Sequence, residues 1–215
     1  MAFRVKPVVK YMTKAAIEVK AENLLAQYEA QQKRIEKPPI PIEFIVSDLL
    51  GFETSSRAIG DPDTVAYIDP NKMVICLNLE KSEYLDEVGP EYTWAHEVGH
   101  WVLDHFEDDR RQLSLGIENQ PTRLLHRDTR HHQPFRHEFQ AEYFASCLLM
   151  PKRFLVPLAS RLNLLQWASI YSLRETFEVS VTAMKNRLQG LGLIYVKNRR
   201  IYRDANEAHG MNRLL

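Results

Sequence analysis

The stretch YTWAHEVGHW, residues 92–101, constrains the fold of this chain more than any other feature. His96 and His100 are four residues apart, and on an α-helix residues at this spacing share one face, with Cβ atoms about 6 Å apart. Two imidazole nitrogens can then bind one metal ion. Glu97 lies about 100° further round the same turn, beside the open coordination position of such an ion. The stretch predicts a metal-binding helix in which Glu97 is the general base.

A third ligand is needed, because catalytic zinc sites have three protein ligands and an open position. Residues 138–151, EFQAEYFASCLLMP, offer two carboxylates at helical spacing, in a stripe that also contains alanines. We expect Glu138 to complete a His, His, Glu set. We expect Glu142, one turn later, to accept the free N–H of a ligand histidine, although the two glutamates could exchange roles. The alternative for both is a solvated helix face.

Other residues near the motif are weaker candidates for the metal site. His105 follows His100 by five residues and does not have the third-ligand spacing of H-E-x-x-H-x-x-G-x-x-H enzymes. Three further histidines, His131, His132 and His137, fall in a stretch without helical periodicity. Ala95 and Gly99 form a small-residue strip, which favours close approach of a neighbouring element. For the motif alone, a surface helix with two hydrogen-bonded histidines is the competing interpretation.

Composition excludes several classes of protein. Lys+Arg and Asp+Glu both total 28, so no global charge attracts the chain to nucleic acid or to an anionic membrane. Cys76 and Cys147 each lie in an apolar run, as is typical of reduced thiols in cytosolic proteins. Basic residues interrupt the N-terminal segment, and there is no uncharged apolar run of about 18 residues. We expect a cytoplasmic protein that does not span a membrane.

Periodicity along the chain predicts the elements around the motif. A helix is expected from Ile17 to the KPPIPIE break, and a second from Pro41 to Gly51. The runs GFETSS, TVAYID and KMVICLN predict a small antiparallel sheet, and an edge strand such as KMVICLN could bind an extended peptide by β-augmentation. Residues 107–137, rich in arginine and histidine, predict a long loop, and the helix from 138 ends at Pro151.

The last third of the chain predicts a helix-turn-helix. LLQWASIYSLRETF and VTAMKNRLQGLG are helical, with the turn EVS between them. Two β-like pieces, LIYV and RRIYR, follow around Lys197 and Asn198 and form a candidate wing.

Together these motifs resemble the ImmA/IrrE family of metallo-endopeptidases, small zinc proteins of bacteria and mobile elements. The resemblance is carried by PIPIEFIVSDLLGF, YTWAHEVGHWVLDH, EFQAEYFASCLLMP and the helical LRETFEVSVTAMKNRLQGLGL, which span most of residues 38–192. It implies that His96 and His100 bind Zn²⁺ with Glu138, and that Glu97 is the catalytic base. Family members typically cleave a helix-turn-helix repressor and so derepress stress-response or mobile-element genes. The loop after His100, with its segment HRDTRHHQPFRH, is longer than the family pattern.

The expected fold class is therefore α+β. A mostly helical zincin-like domain with a small antiparallel three-stranded sheet covers residues 1–155, and a helix-turn-helix-like module with a candidate β wing covers residues 156–215. The resemblance implies a zinc-dependent endopeptidase that acts on a protein substrate. Two imidazoles and a carboxylate would also accept Mn²⁺ or another divalent metal.

Two other functions use the same sequence features. One is a DNA-binding regulator with a vestigial or structural metal site, whose phosphate contacts come from basic residues of the module: Lys185, Arg187, Lys197, Arg199, Arg200 and Arg203. The other is an antitoxin or adaptor that binds a partner without cutting it, for which Glu97 is dispensable. Docking of a protein partner is favoured over DNA for the C-terminal module.

Overall fold

A computed structural model describes residues 12–32, 34–61, 63–105, 125–128 and 135–210. The helices are α1 (Lys14–Gln31), α2 (Ile42–Phe44, continued by a π-helical turn over Ile45–Leu49), α3 (Ser82–Val88, after a 3₁₀ turn over Leu79–Lys81), α4 (Pro90–Val102), α5 (Phe135–Leu149), α6 (Lys152–Ala159), α7 (Trp167–Phe177), α8 (Val181–Gly190) and α9 (Ala205–Ala208). The strands are β1 (Glu53–Arg57), β2 (Thr64–Asp69), β3 (Val74–Asn78), β4 (Leu125–Asp128), β5 (Tyr195–Lys197) and β6 (Arg200–Tyr202).

The first helix forms where the spacing of apolar residues predicts it. The Thr13 side chain accepts a hydrogen bond from the Ala16 N–H at 3.2 Å and caps α1. The apolar stripe of α1 is buried, and it consists of Ile17, Ala21, Leu24, Leu25 and Tyr28. This stripe packs on α5, which in turn packs on α4. The three helices contribute to a common core, and the residues of the HEVGH motif are buried on α4.

The sheet differs from the all-antiparallel arrangement that the sequence predicts. Its strand order is β1-β3-β2-β4, with β1 parallel to β3 and the other two pairs antiparallel. The strands β1 and β2 run in opposite directions but are not neighbours, because β3 lies between them. As a result KMVICLN is a central strand and not an edge strand, so the expectation that it binds substrate by β-augmentation is wrong. The outer strands are β1 and β4.

The stretch 107–137 contains regular structure that the sequence did not predict. The strand β4 pairs with β2, with Ile68 opposite Leu125, and α5 begins at Phe135. The sequence LHRD of β4 lacks the β-branched and aromatic residues typical of strands, so local pattern could not find it. The rest of this stretch, including His131 and His132, lies outside the described residues. The short helix α6, directly after Pro151, was also not predicted.

The C-terminal part contains two helices joined by a short turn, α7 and α8, followed by a two-stranded hairpin, at the positions that the sequence predicts. Ser180 caps α8 by accepting a hydrogen bond from the Ala183 N–H at 3.1 Å. The strands β5 and β6 pair antiparallel, and Asn198 and Arg199 between them have φ of 50° and 60°, as in a tight two-residue hairpin turn. Buried residues of this part, such as Leu188, belong to the same hydrophobic cluster as Ile17 in α1. The division at residue 155 stays a prediction.

The α+β class with a mostly helical zincin-like domain is thus confirmed, apart from the connectivity and number of strands in the sheet. Among the described residues, every helix is too short or too polar to cross a membrane.

Candidate metal centre

The helix α4 presents His96 and His100 on a buried face. Both residues are 1% exposed, and their Nε2 atoms are 3.1 Å apart. The helix begins with Pro90 at its first turn, directly after Gly89, whose φ of 91° favours glycine. The predicted spacing argument therefore describes the observed geometry: one helical turn separates the imidazoles, and their ε nitrogens converge.

The two helices of the site approach each other closely. A Cβ atom placed on Gly99 would lie 3.0 Å from both the Cα and the carbonyl oxygen of Ala141 in α5. A side chain at residue 99 would require the backbone of α5 to shift by a few tenths of an ångström, so glycine favours this close approach. The close approach brings Glu138, three residues before Ala141, to the histidines of α4.

Glu138 completes a triangle of potential ligands with the two histidines. Its Oε2 atom is 3.2 Å from Nε2 of His96, and its Oε1 atom is 3.4 Å from Nε2 of His100. Ligand atoms about 2.0–2.1 Å from a tetrahedral zinc ion are about 3.3 Å apart, so the two nitrogen atoms, and each nitrogen and the carboxylate oxygen nearest to it, have the separations of a shared coordination shell. Among the described residues these three form the group whose geometry can hold a metal ion.

The protonation states and hydrogen bonds of the cluster also fit a cation. Burial, and then the neighbouring His96, lower the pKa of His100 well below 6.5, so its imidazole is neutral at pH 7 and has a lone pair available. The Oε1 atom of Glu138 is buried without a hydrogen-bond partner in the described part of the chain. A buried carboxylate oxygen that faces imidazole lone pairs is stabilised when a divalent cation lies between them.

Glu97 is fully buried on α4, directly after the first ligand histidine. Fully buried glutamates are rare, because burial removes the carboxylate from water at a cost in free energy. The burial of Glu97 is therefore one reason to expect a function for it. Its role as the general base stays a prediction.

Glu142 is not brought to the cluster. Its side chain is exposed and lines a cavity of about 600 Å³ together with Tyr92, Phe139 and Tyr143. The sequence predicts that Glu142 contacts a ligand histidine. In the structure His105 contacts His100 instead, and the Nδ1 atoms of these two histidines are 2.9 Å apart. The spacing of His105 from His100 does not fit a third metal ligand, and the sequence predicts no other role for it. Its only sequence signal was its position shortly after the motif.

One of the basic residues expected to contact DNA is unavailable to any ligand. Arg187 is 2% exposed, its Nε donates to the Met150 carbonyl at 3.0 Å, and its guanidinium pairs with Glu18 of α1. The expectation that Arg187 contacts phosphate is therefore wrong. On the hairpin side, Arg199, Arg200 and Arg203 are exposed.

Comparison with known proteins agrees with this geometry. The sequence model of the family described as "IrrE N-terminal-like domain", peptidase family M78, matches residues 49–189. This range includes α4, α5 and most of the C-terminal helix pair. No curated protein sequence matches the chain.

Proposed function

Because the chain belongs to the IrrE N-terminal-like peptidase family, we propose that it is a metal-dependent endopeptidase with Zn²⁺ as its native metal. The observation that carries this proposal is the triangle of His96, His100 and Glu138, with ligand atoms 3.1–3.4 Å apart. Two neutral imidazoles and one carboxylate are a common catalytic zinc set, and they leave a fourth position for water or substrate.

The roles of the chain's own groups follow from this arrangement. When bound, the ion supplies a Lewis acid that acidifies water and polarises the scissile carbonyl. The single carboxylate of Glu138 neutralises only part of the charge of a divalent ion, so the site stays electrophilic. The Glu97 carboxylate accepts a proton from the attacking water and passes it to the amine nitrogen that leaves as the peptide C–N bond breaks. His96, Glu97 and His100 are each at most 1% exposed, so bulk water has little access to these side chains.

Substitution of Glu97 by Gln tests the role of the base. We expect a fall in kcat of about 10²–10⁴-fold, because the amide cannot accept the proton, with unchanged zinc content. Cleavage is followed by gel and mass spectrometry, and zinc by elemental analysis. The control is Glu87→Gln on the exposed face of α3, which should cleave like the parent. Full cleavage by the Glu97→Gln variant would remove Glu97 from the mechanism. A zinc-loaded parent that binds its partner without cutting it would instead favour the non-cleaving adaptor, for which Glu97 is dispensable.

For the substrate we propose a helix-turn-helix repressor, whose cleavage derepresses stress-response or mobile-element genes in the cytoplasm. The support is the resemblance of the sequence motifs to the ImmA/IrrE peptidases, together with the exposed surface of α8 as a docking site for a protein partner. The test is to incubate the zinc-loaded protein with the repressor encoded beside its gene. One defined cut, abolished by a chelator, is the expected result. An intact repressor with a cut in an unrelated protein would contradict this choice of substrate.

The DNA-binding alternative retains one supporting observation, the exposed arginines of the hairpin, Arg199, Arg200 and Arg203. It predicts binding to duplex DNA that weakens steeply as salt is raised. We favour the peptidase because the helix that would lie in the groove, α8, has Arg187 buried against Glu18.

A further inference from the structure

His105 folds back onto the end of the metal-binding helix. The chain leaves α4 after Val102, and Asp104 adopts a left-handed conformation with φ of 61°. The backbone N–H of His105 then donates to the His100 carbonyl at 3.1 Å. These two features return the imidazole of His105 to the imidazole of His100, although the helix itself has ended.

The position of the His105 ring is fixed on three sides. Its Nδ1 is 2.9 Å from Nδ1 of His100, and its Nε2 is 3.5 Å from the amide oxygen of Gln140 on α5. The ring of His137 stacks on it, with centroids 4.2 Å apart and planes 18° apart. The His105 imidazole is therefore held between the two helices that supply the metal ligands.

The donor and the acceptor of each hydrogen bond in the series Gln140, His105 and His100 can be assigned, starting from Gln140. The oxygen of Gln140 only accepts, so Nε2 of His105 carries the proton in that contact. A neutral imidazole then has its lone pair on Nδ1, which accepts from the Nδ1–H of His100. This leaves the lone pair of His100 on Nε2, the atom that faces His96 and Glu138 at 3.1 and 3.4 Å.

We propose that His105 is a positioning residue that holds His100 in the tautomer able to bind metal. The proposal rests on the metal centre proposed above and deepens it. Without an acceptor at this place, the buried Nδ1–H of His100 loses its hydrogen bond, and the tautomer with the proton on Nε2 becomes competitive. In that tautomer the ε nitrogen has no lone pair for the ion.

The test compares His105→Leu with His105→Asn, two variants of nearly equal shape. The Asn Oδ1 atom can take the place of the histidine Nδ1 acceptor, whereas Leu offers no acceptor. We expect the dissociation constant for zinc, measured by competition with a chromophoric chelator, to rise by about 10–100-fold in the Leu variant. The Asn variant should bind within a few-fold of the parent. Unfolding of the metal-free proteins in urea establishes that both variants fold.

A spectrum of the cobalt-substituted protein adds a readout that a purely structural role would not change. We expect the d–d bands of Co²⁺ bound to the Asn variant to match those of the parent. At the same total cobalt concentration, the bands of the Leu variant should have lower intensity. If a folded Leu variant binds zinc as tightly as the parent, the proposed role of His105 is overturned, but the proposed metal centre is not. Failure of the parent to bind zinc stoichiometrically would instead overturn the proposed metal centre.

Discussion

Two clusters of buried polar side chains lie in contact with α5, and they differ in how their charges are satisfied. In the first, two imidazoles and Glu138 bring their nitrogen and oxygen atoms together, and one buried carboxylate oxygen has no hydrogen-bond partner among the residues that the structure describes. In the second, Arg187 of α8 donates to both carboxylate oxygens of Glu18 in α1 and to a backbone carbonyl. The protein itself supplies the cation of the second cluster. The first has a place for a cation from outside.

The electrostatics of the second cluster support this difference. Burial alone would raise the pKa of Glu18, but hydrogen bonds and charge from Arg187, and then from Lys152 at 3.0 Å, outweigh it and lower the pKa. Burial raises the pKa of the adjacent Cys147 thiol to about 12, so it stays protonated and unreactive. The cluster is a joint between the N-terminal and C-terminal helices, and it needs no ligand.

Removal of one partner from the joint should have the largest effect on stability. Arg187→Met removes the buried cation and leaves the Glu18 carboxylate with only the half-exposed Lys152 as a charged partner, and we expect a loss of about 3 kcal/mol in the free energy of unfolding. Urea titration followed by circular dichroism measures it. The double variant Glu18→Met with Arg187→Met should recover most of the loss, because it leaves no unpaired charge. Equal destabilisation of the single and double variants would contradict the idea that charge satisfaction is the main term.

Removal of the carboxylate from the metal cluster should have a different signature. We expect Glu138→Gln to cost little in the metal-free protein and to abolish the stabilisation that zinc gives. For the parent that gain is about 2.7 kcal/mol at a free zinc concentration one hundred times Kd. The matched control is Glu142→Gln on the same helix, which should keep the gain because Glu142 is exposed and outside the cluster. A zinc-dependent gain that survives in the Glu138→Gln variant would show that the ion binds elsewhere.

The smallest effect is the pH dependence of the joint. Since the folded-state pKa of Glu18 lies below its ordinary value of 4.5, its ionisation contributes stability that is present above pH 4.5 and is lost as the pH falls through the lowered pKa. The stability difference between the parent and Glu18→Gln should therefore be constant between pH 5 and 7 and should shrink at lower pH. Urea titrations across this range measure it. A difference that grows on acidification would have the wrong sign for a lowered pKa.

The features of the metal centre that could be predicted from the sequence are those set by helix geometry. The spacing of His96 and His100 fixes their convergence, and the small residues Gly99 and Ala141 allow the helix of Glu138 to come close. The role of His105 could not be predicted from a helical pattern, because it depends on a left-handed residue after the helix has ended. Similarly, Glu142 has helical spacing with Glu138, but the packing of α5 leaves it exposed.

The features that could not be predicted are those that depend on which distant elements meet. Glu18 and Arg187 are 169 residues apart, and nothing local to either indicates the other. Arg187 alone has the appearance of a DNA-contacting residue, since it lies on the second helix of a helix-turn-helix. The order of strands in the sheet could not be predicted for the same reason. The turn residues between β2 and β3 indicate that these two strands pair, but the parallel pairing of β3 with β1 depends on tertiary packing.

The joint between Glu18 and Arg187 also bears on how such a chain can diversify. An exchange of the C-terminal helices with those of a relative by recombination would separate the arginine from the carboxylate that it neutralises, because the two lie 169 residues apart in the sequence. Substitutions on the outward surface of these helices leave this pair intact, whereas a change at position 187 alone leaves the buried carboxylate of Glu18 without its arginine.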